Sequence, residues 1–410
     1  MRRLGWQLAA MTLALGACGG GGGGSAPGPV PPAPPPVVVP APPPDSEATI
    51  LAPVGRGELK SATQLASVPV GEIATAVNAA GGKITGVAPR YAVQNWRLTY
   101  TTVDGSGNLV TASGLVSVPD KAAGRESPVI SYQHGTIFKD AEAPSNAIAA
   151  AEAPIVMASL GFIVVAADYV GYGTSKGTQH PYLLSAPAAA AVNDLLTAAR
   201  LWRQSSRRLG NGQLFMVGYS EGAYATMAAH RALQAQNSLH LANVVASVGG
   251  GGPYDVGTAL DSLLSRVKDE NILIGALINP GFLRHLGASV RNEVRRALLK
   301  QIVPDDADVA FQSTFIDNFL ADDVNEQERV SNVHNWGPRV PWRLFHGKDD
   351  QTVDYKTSTA ALKAMLARGA LAGNVSLTDC KAAPVAGHLP CVPPFFTQAM
   401  GYLAQLARDL

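Results

Sequence analysis

Charge is scarce in this chain. Only 15% of its 410 residues are Asp, Glu, Lys or Arg, and they sum to +1; an ordinary globular domain carries about 25%. No basic stripe runs along any segment, so nucleic acid is not an expected partner. There is no His-x-x-x-His or Cys-x-x-Cys pair, so no metal site is predicted. No Gly-rich phosphate loop with its Lys is present either, and no cofactor is implied. There is no internal repeat. Long apolar runs are missing too: the one near the start is too short to span a bilayer. Cysteine is limited to Cys18, Cys380 and Cys391. Hydrophobic residues, at 47%, are plentiful enough for a large core.

The chain begins Met1-Arg2-Arg3, continues with a short apolar run, and reaches Leu15-Gly16-Ala17-Cys18. A basic start, an apolar centre and small residues before a cut site describe a secretory signal. Leu-Gly-Ala-Cys resembles the lipobox of bacterial lipoproteins. That resemblance implies cleavage before Cys18 and a lipid on it, hence a membrane anchor at the bacterial cell envelope, or else secretion. Six glycines follow, Gly19 to Gly24, and then eleven prolines between Ala26 and Pro44. Glycine makes a floppy tether and proline a stiff one, and neither buries a core. The expected division is a signal over 1–17, a tether over 18–45 and a folded part beyond. In an exported chain, Cys380 and Cys391 are expected to form a disulfide, free buried thiols being the alternative.

Residues 91–118 read as a hairpin around the turn formers Asp104 to Asn108. Short apolar runs follow at 128–135, 161–173, 213–220, 241–252, 340–347 and 374–379. Helical patterns fall at Ala147–Leu160, Ala186–Gln204, Glu221–Gln236, Tyr355–Arg368 and Phe395–Leu410. Apolar runs alternating with helices predict an α/β fold, a mostly parallel sheet covered on both faces. The opening hairpin makes the sheet mixed. Residues 254–335 break the alternation with at least three helical stretches and no clear strand. They read as a helical cap over the carboxyl edge of the sheet, inserted between 46–253 and 336–410. A separately folded second domain is the alternative.

Gly218-Tyr219-Ser220-Glu221-Gly222 stands where the 213–220 strand turns into a helix. Such a turn strains the serine backbone and exposes its hydroxyl, and small flanking residues relieve the crowding. The helix that follows presents free N–H groups and a positive dipole end. A serine hydroxyl needs a base, and the base needs an orienting acid. In this architecture the chain order is Ser, acid, His. Six histidines follow Ser220: His230 lies on the next helix, His240 before a strand, His285 and His334 in the insertion, and His346 at a strand end. His388 lies in a loop between the last strand and the last helix, bracketed by Cys380 and Cys391. It is the candidate base. The acid is expected from the loop Lys348-Asp349-Asp350-Gln351-Thr352-Val353.

At that loop, "HGKDDQTV" resembles the His-Gly-x-x-Asp-x-x-Val segment of the α/β-hydrolase superfamily. The resemblance implies Asp350 as the triad acid, with Asp349 the competitor. "SYQHGTIF" resembles the superfamily's His-Gly loop. It implies a second oxyanion donor at the Thr136 N–H, or that of Gly135, beside the Glu221 N–H. His134 is read as structural. "ADYVGYGTSKG" is similar to the Asp-x-x-Gly-x-Gly-x-Ser loop, in which Asp168 would organise the loop. Together, over residues 90–405, the chain looks like the secretory lipase-like branch. The chain departs from the pattern at Glu221, where some relatives carry Gln or Gly and whose charge nothing in the sequence explains, and at Asp354, where proline is common. The implied activity is hydrolysis of small or lipid-like carboxylic esters by Ser220, His388 and Asp350. A peptidase or amidase on the same fold, or a surface-anchored binding protein, are the alternatives. The β-propeller of the prolyl-oligopeptidase branch has no room here, since only about 45 residues separate tether and first predicted strand.

Overall fold

The structure, a computed structural model, describes residues 47–79, 88–270 and 283–410. The expected signal, Cys18 and the expected tether lie outside the described residues. Leu59–Gln64 (β1) pairs antiparallel with Val93–Val103 (β2), and β2 with Leu109–Pro119 (β3). The β2–β3 hairpin runs in unbroken register from Val93↔Pro119 to Val103↔Leu109. At its tip Asp104 Oδ1 accepts from the N–H groups of Ser106 (2.8 Å) and Asn108 (2.9 Å), closing the expected turn.

Six further strands follow: Ser127–Gln133 (β4), Ile163–Ala167 (β5), Gly210–Tyr219 (β6), Val244–Gly250 (β7), Trp342–His346 (β8) and Val375–Asp379 (β9). The described strands form one sheet in the order β1-β2-β3-β5-β4-β6-β7-β8-β9. From β5 to β9 every pairing is parallel, and β3 meets β5 antiparallel. The mostly parallel mixed sheet predicted from the alternating pattern is therefore present. The order reverses around β4, so the loops after β4 and β6 open side by side, the usual place for a ligand in such sheets.

Ten helices lie in the described residues. Val70–Ala79 (α1), Ala153–Ser159 (α2), Ser185–Ser205 (α3) and Glu221–Ala235 (α4) precede β7. Val256–Glu270 (α5), Ala288–Ile302 (α6), Thr314–Leu320 (α7) and Val324–Val330 (α8) fill the stretch between β7 and β8. Lys356–Ala367 (α9) and Val392–Leu406 (α10) complete the chain. Alternate residues of each strand serve opposite faces. Phe215 and Val217 of β6 pack with Ile73 of α1, Ile155 of α2 and Phe395 of α10. Leu214 and Met216 pack with Leu195 and Trp202 of α3 and Ala229 of α4. Leu260 and Leu264 of α5, Val294 of α6 and Phe315 of α7 bury with Tyr224 and Met227 of α4 and with Trp342 and Leu344 of β8.

Several boundaries differ from expectation. β1 and α1 were not anticipated. β1 reads Leu-Lys-Ser-Ala-Thr-Gln and is mostly exposed at the sheet edge, so it carries no alternation to detect. The helix expected over Ala147–Leu160 is only α2, because Pro154 sits in its first turn and marks the start. The last helix begins three residues earlier than expected and stops at Leu406, again with proline in its first turn. β7 starts at Val244, the residues before it forming a 3-10 turn. Among the described residues no helix is long and apolar enough to cross a membrane.

Phe395 ties α10 to the sheet beneath the serine turn. It is fully buried, with ring centroids 5.1 Å from Tyr219 and 5.8 Å from Phe345. Phe395→Ala is expected to lower stability by about 3–5 kcal/mol, read by denaturant unfolding.

Candidate active site

Ser220 joins β6 directly to α4 with φ +58° and ψ −125°. A non-glycine residue in that region costs roughly 1–3 kcal/mol and persists only where its surroundings hold it. Here its N–H donates to Gly250 O (2.7 Å), and its carbonyl accepts from Ala223 N (3.0 Å). Both flanking glycines are required sterically. A Cβ on Gly222 would lie 2.0 Å from Gln133 O, and one on Gly218 would lie 2.2 Å from Gly222 O.

The loops after β6, β8 and β9 bring three expected residues into one hydrogen-bonded line. His388 Nδ1 is 2.6 Å from Asp350 Oδ2, and His388 Nε2 is 2.9 Å from Ser220 Oγ. A carboxylate only accepts, so Nδ1 carries the proton, and Nε2 is left to accept from the Ser220 hydroxyl. Of the two adjacent acids, Asp350 is the one in line and is buried. Asp349 is exposed, and its Oδ2 accepts from Ala386 N (3.1 Å), bracing the loop that carries His388.

Asp350 Oδ1 accepts from the N–H groups of Thr352 (2.8 Å) and Val353 (2.9 Å). Oδ2 is shared by His388 and by His346 Nε2 at 3.1 Å. Burial by itself would raise this carboxyl's pKa, but hydrogen bonds from His346 and His388 outweigh burial and hold it well below the usual carboxylate range. His346, set aside in the sequence as a strand-end residue, is thus a second donor to the acid. Its Nε2 also faces Val353 O (3.0 Å), and its Nδ1 lies 2.7 Å from Ser358 Oγ. The sequence signal was the four-residue spacing from His346 to Asp350.

The expected Cys380–Cys391 disulfide is present, with Cα atoms 6.0 Å apart. It closes the loop that carries His388. The Tyr219 hydroxyl donates to His388 O (2.7 Å), and Cys391 N donates to Gly387 O (3.2 Å). The imidazole is thereby held from both sides of its backbone.

The loop after β4 lies against the serine: a Cβ on Gly135 would be 3.7 Å from Ser220 Cβ. Thr136 follows, its hydroxyl 3.2 Å from Tyr182 Oη. His134 is held by backbone and ring contacts: Nδ1 meets Gly135 O (2.7 Å), and the ring stacks on Tyr169 at 4.1 Å. Asp168, fully buried, accepts from Ser113 Oγ (2.6 Å) and from the N–H (2.8 Å) and Oγ (2.6 Å) of Ser145. It braces two loops, and burial raises its pKa despite those bonds. Asp354 accepts from Lys356 N at the start of α9 and from Ser262 Oγ of α5, both at 2.8 Å. The acid loop is tied in this way to the inserted helices. Glu221, whose charge was unexplained, meets His180 Nε2 at 2.7 Å. His180 had no role in the sequence reading. Among the described residues no group of three or more His, Cys, Asp or Glu is arranged to hold a metal ion.

No protein-family model and no curated protein matches the chain. Solved structures do resemble it. A presumed hydrolase from Legionella pneumophila aligns at 21% identity and a TM-score of 0.66, over 85% of this chain and 97% of that one. The rice cell wall degrading esterase LipA from Xanthomonas oryzae, in a ligand-bound form, aligns at 24% identity and a TM-score of 0.63, over 86% and 100%. Candida antarctica lipase A in its closed state aligns at 19% identity and a TM-score of 0.51, over 85% and 83%. At such identities the likeness is one of fold, and the fold is that of the α/β-hydrolases.

The depressed pKa of Asp350 has a consequence for stability. Its contribution is present above the unfolded-state value of about 3.9 and is lost as pH falls below that toward the folded value. Asp350→Asn is expected to be roughly 2–3 kcal/mol less stable than the parent at pH 7. Urea unfolding at a series of pH values should find the difference shrinking below about pH 4.

Proposed function

We propose that this chain is an extracytoplasmic serine hydrolase acting on carboxylic esters. The observation that carries the reading is the line Ser220 Oγ–His388 Nε2–Asp350 Oδ2, at 2.9 and 2.6 Å, on a serine with positive φ. A serine held in that backbone region and hydrogen-bonded to an oriented imidazole has the arrangement of an activated nucleophile. Likeness of fold to an esterase and a lipase favours esters among its possible substrates.

In this reading Ser220 Oγ attacks the ester carbonyl carbon while His388 Nε2 takes the hydroxyl proton. Asp350 keeps the proton of Nδ1 in place and steadies the imidazolium. The carbonyl oxygen, now negative, is held by the Glu221 N–H and the Thr136 N–H, Gly135 being the alternative to Thr136. His388 returns its proton to the leaving alcohol, and the acyl group stays on Ser220. Water, deprotonated by His388, then attacks the acyl-enzyme and releases the acid. No metal or cofactor is needed for any step.

Residues 254–335 are proposed as a cap beside this site, bonded to the acid loop through Ser262 and Asp354. Lipidation of Cys18 and the Gly/Pro tether would hold the domain at the envelope. The disulfide fits an oxidising compartment.

Hydrolysis of p-nitrophenyl esters from acetate to palmitate tests the reading. Ser220→Ala and His388→Ala are each expected to lower kcat by roughly 10⁴-fold or more, and Asp350→Asn by about 10⁴-fold. A parent that hydrolyses none of these esters, though folded, would overturn it.

A further inference from the structure

Glu221 carries an awkward charge for its position. Its N–H is assigned above to the oxyanion, yet its side chain is only 6% exposed and belongs to the residue after Ser220. His180 Nε2 lies 2.7 Å from Glu221 Oε1, and His180 Nδ1 lies 2.9 Å from Val170 O. A carbonyl only accepts, so Nδ1 carries a proton. An ionised carboxylate also only accepts, so the 2.7 Å contact needs a proton of its own, on Nε2 or on the carboxyl. Both distributions, imidazolium with carboxylate or imidazole with carboxylic acid, leave the pair without net charge.

The pair is enclosed. The ionisable groups facing it are His134, Tyr169, Tyr172, Tyr182 and Tyr224. A cavity of about 10 Å³ beside it has room for no more than about one water, so bulk solvent does not screen the charge. His180 is itself fixed by the insertion: its N–H donates to Ala310 O (2.7 Å), and its carbonyl accepts from Gln312 N (2.8 Å). Phe311, between those two, meets the His180 ring edge-on at 5.3 Å.

We propose that His180 is a positioning residue that neutralises the Glu221 carboxyl, so that the charge developing on the oxyanion is not opposed by a fixed anion beside it. The proposal rests on the esterase reading. Oxyanion stabilisation is electrostatic and acts in a water-poor site. A bare carboxylate there weakens the transition state more than it weakens substrate binding. His180 therefore serves kcat, and the insertion that grips its backbone sets its place.

The test compares His180→Gln, Glu221→Gln, the double variant and Ser220→Ala in the full chain, with p-nitrophenyl butyrate at pH 8 and thermal unfolding of each. His180→Gln is expected to lower kcat by about tenfold or more with KM changed less than about threefold. The double variant, with no carboxyl left to neutralise, is expected to recover most of that loss. The acid limb of kcat/KM should move to higher pH in His180→Gln and return in the double variant. Losses that simply add in the double variant would overturn the proposal and leave the pair structural. Should His180→Gln fail to fold, Glu221→Gln decides alone. A neutral pair predicts an acid limb within about 0.3 pH unit of the parent, and a fall of more than about 0.5 unit would mean an uncompensated carboxylate. Activity retained by Ser220→Ala would remove the esterase reading itself, and this proposal with it.

Discussion

A residue with a side chain cannot sit at φ +58° in a tight strand-to-helix turn unless its neighbours make room. At Ser220 the room comes from two missing Cβ atoms and from backbone bonds to Gly250 and Ala223. The approach of Gly222 to Gln133 O is what lets the β4 loop lie against the turn. The same approach brings Gly135 to the serine. The strained serine and the proposed anion site beside it therefore follow from one steric constraint. A methyl group at position 222 would lie 2.0 Å from Gln133 O and force the two apart.

The second requirement is control of charge at the carboxyl edge of the sheet. Asp350 is buried yet stays ionised, because four donors converge on its two oxygens. Two of them are imidazole N–H groups, and they outweigh the desolvation that burial imposes. Asp168 has a different fate. It is the more deeply buried of the two, its three donors come from two serines, and burial raises its pKa. One acid is kept charged to serve an imidazole, while the other is a junction between loops. The difference lies in the deeper burial of Asp168 and in its donors, which come from serines, where Asp350 has two imidazoles hydrogen-bonded to it.

The inserted helices are not an isolated body. Leu260, Leu264 and Phe315 share their core with Tyr224 and Trp342 of the sheet layer. Polar ties run from this segment to the loops of the site: Ser262 and Arg266 of α5 to Asp354 and Gln351 O, and Ala310 and Gln312, before α7, to His180. Movement of this segment would therefore be felt at the loop of Asp350 and at His180.

Much of this was legible in the residues. Leu214 to Val217 of β6 are buried and read as an apolar run, but the strand starts at Gly210, ahead of the expected 213, because buried Asn211 and Gln213 interrupt the apolar pattern. The candidates Ser220 and His388 were legible because turn chemistry is local, in two glycines and a cysteine-bracketed loop, whereas Asp350 was implied only by the resemblance of its His-Gly-x-x-Asp segment. The edge strand β1 was not, since a solvated strand needs no hydrophobic pattern. Asp349 and Asp350 could not be separated by spacing, because either can project from the same loop. Only the fold turns one inward to His388 and the other outward to Ala386 N. His180 and Glu221 lie 41 residues apart, and no periodicity links them. Their contact exists because the loop after β5 folds back over the start of α4. By itself the sequence determined the element types and the chemistry of single loops, which depend on neighbours along the chain. Tertiary structure decided which buried charges meet, because that depends on distances no local rule contains.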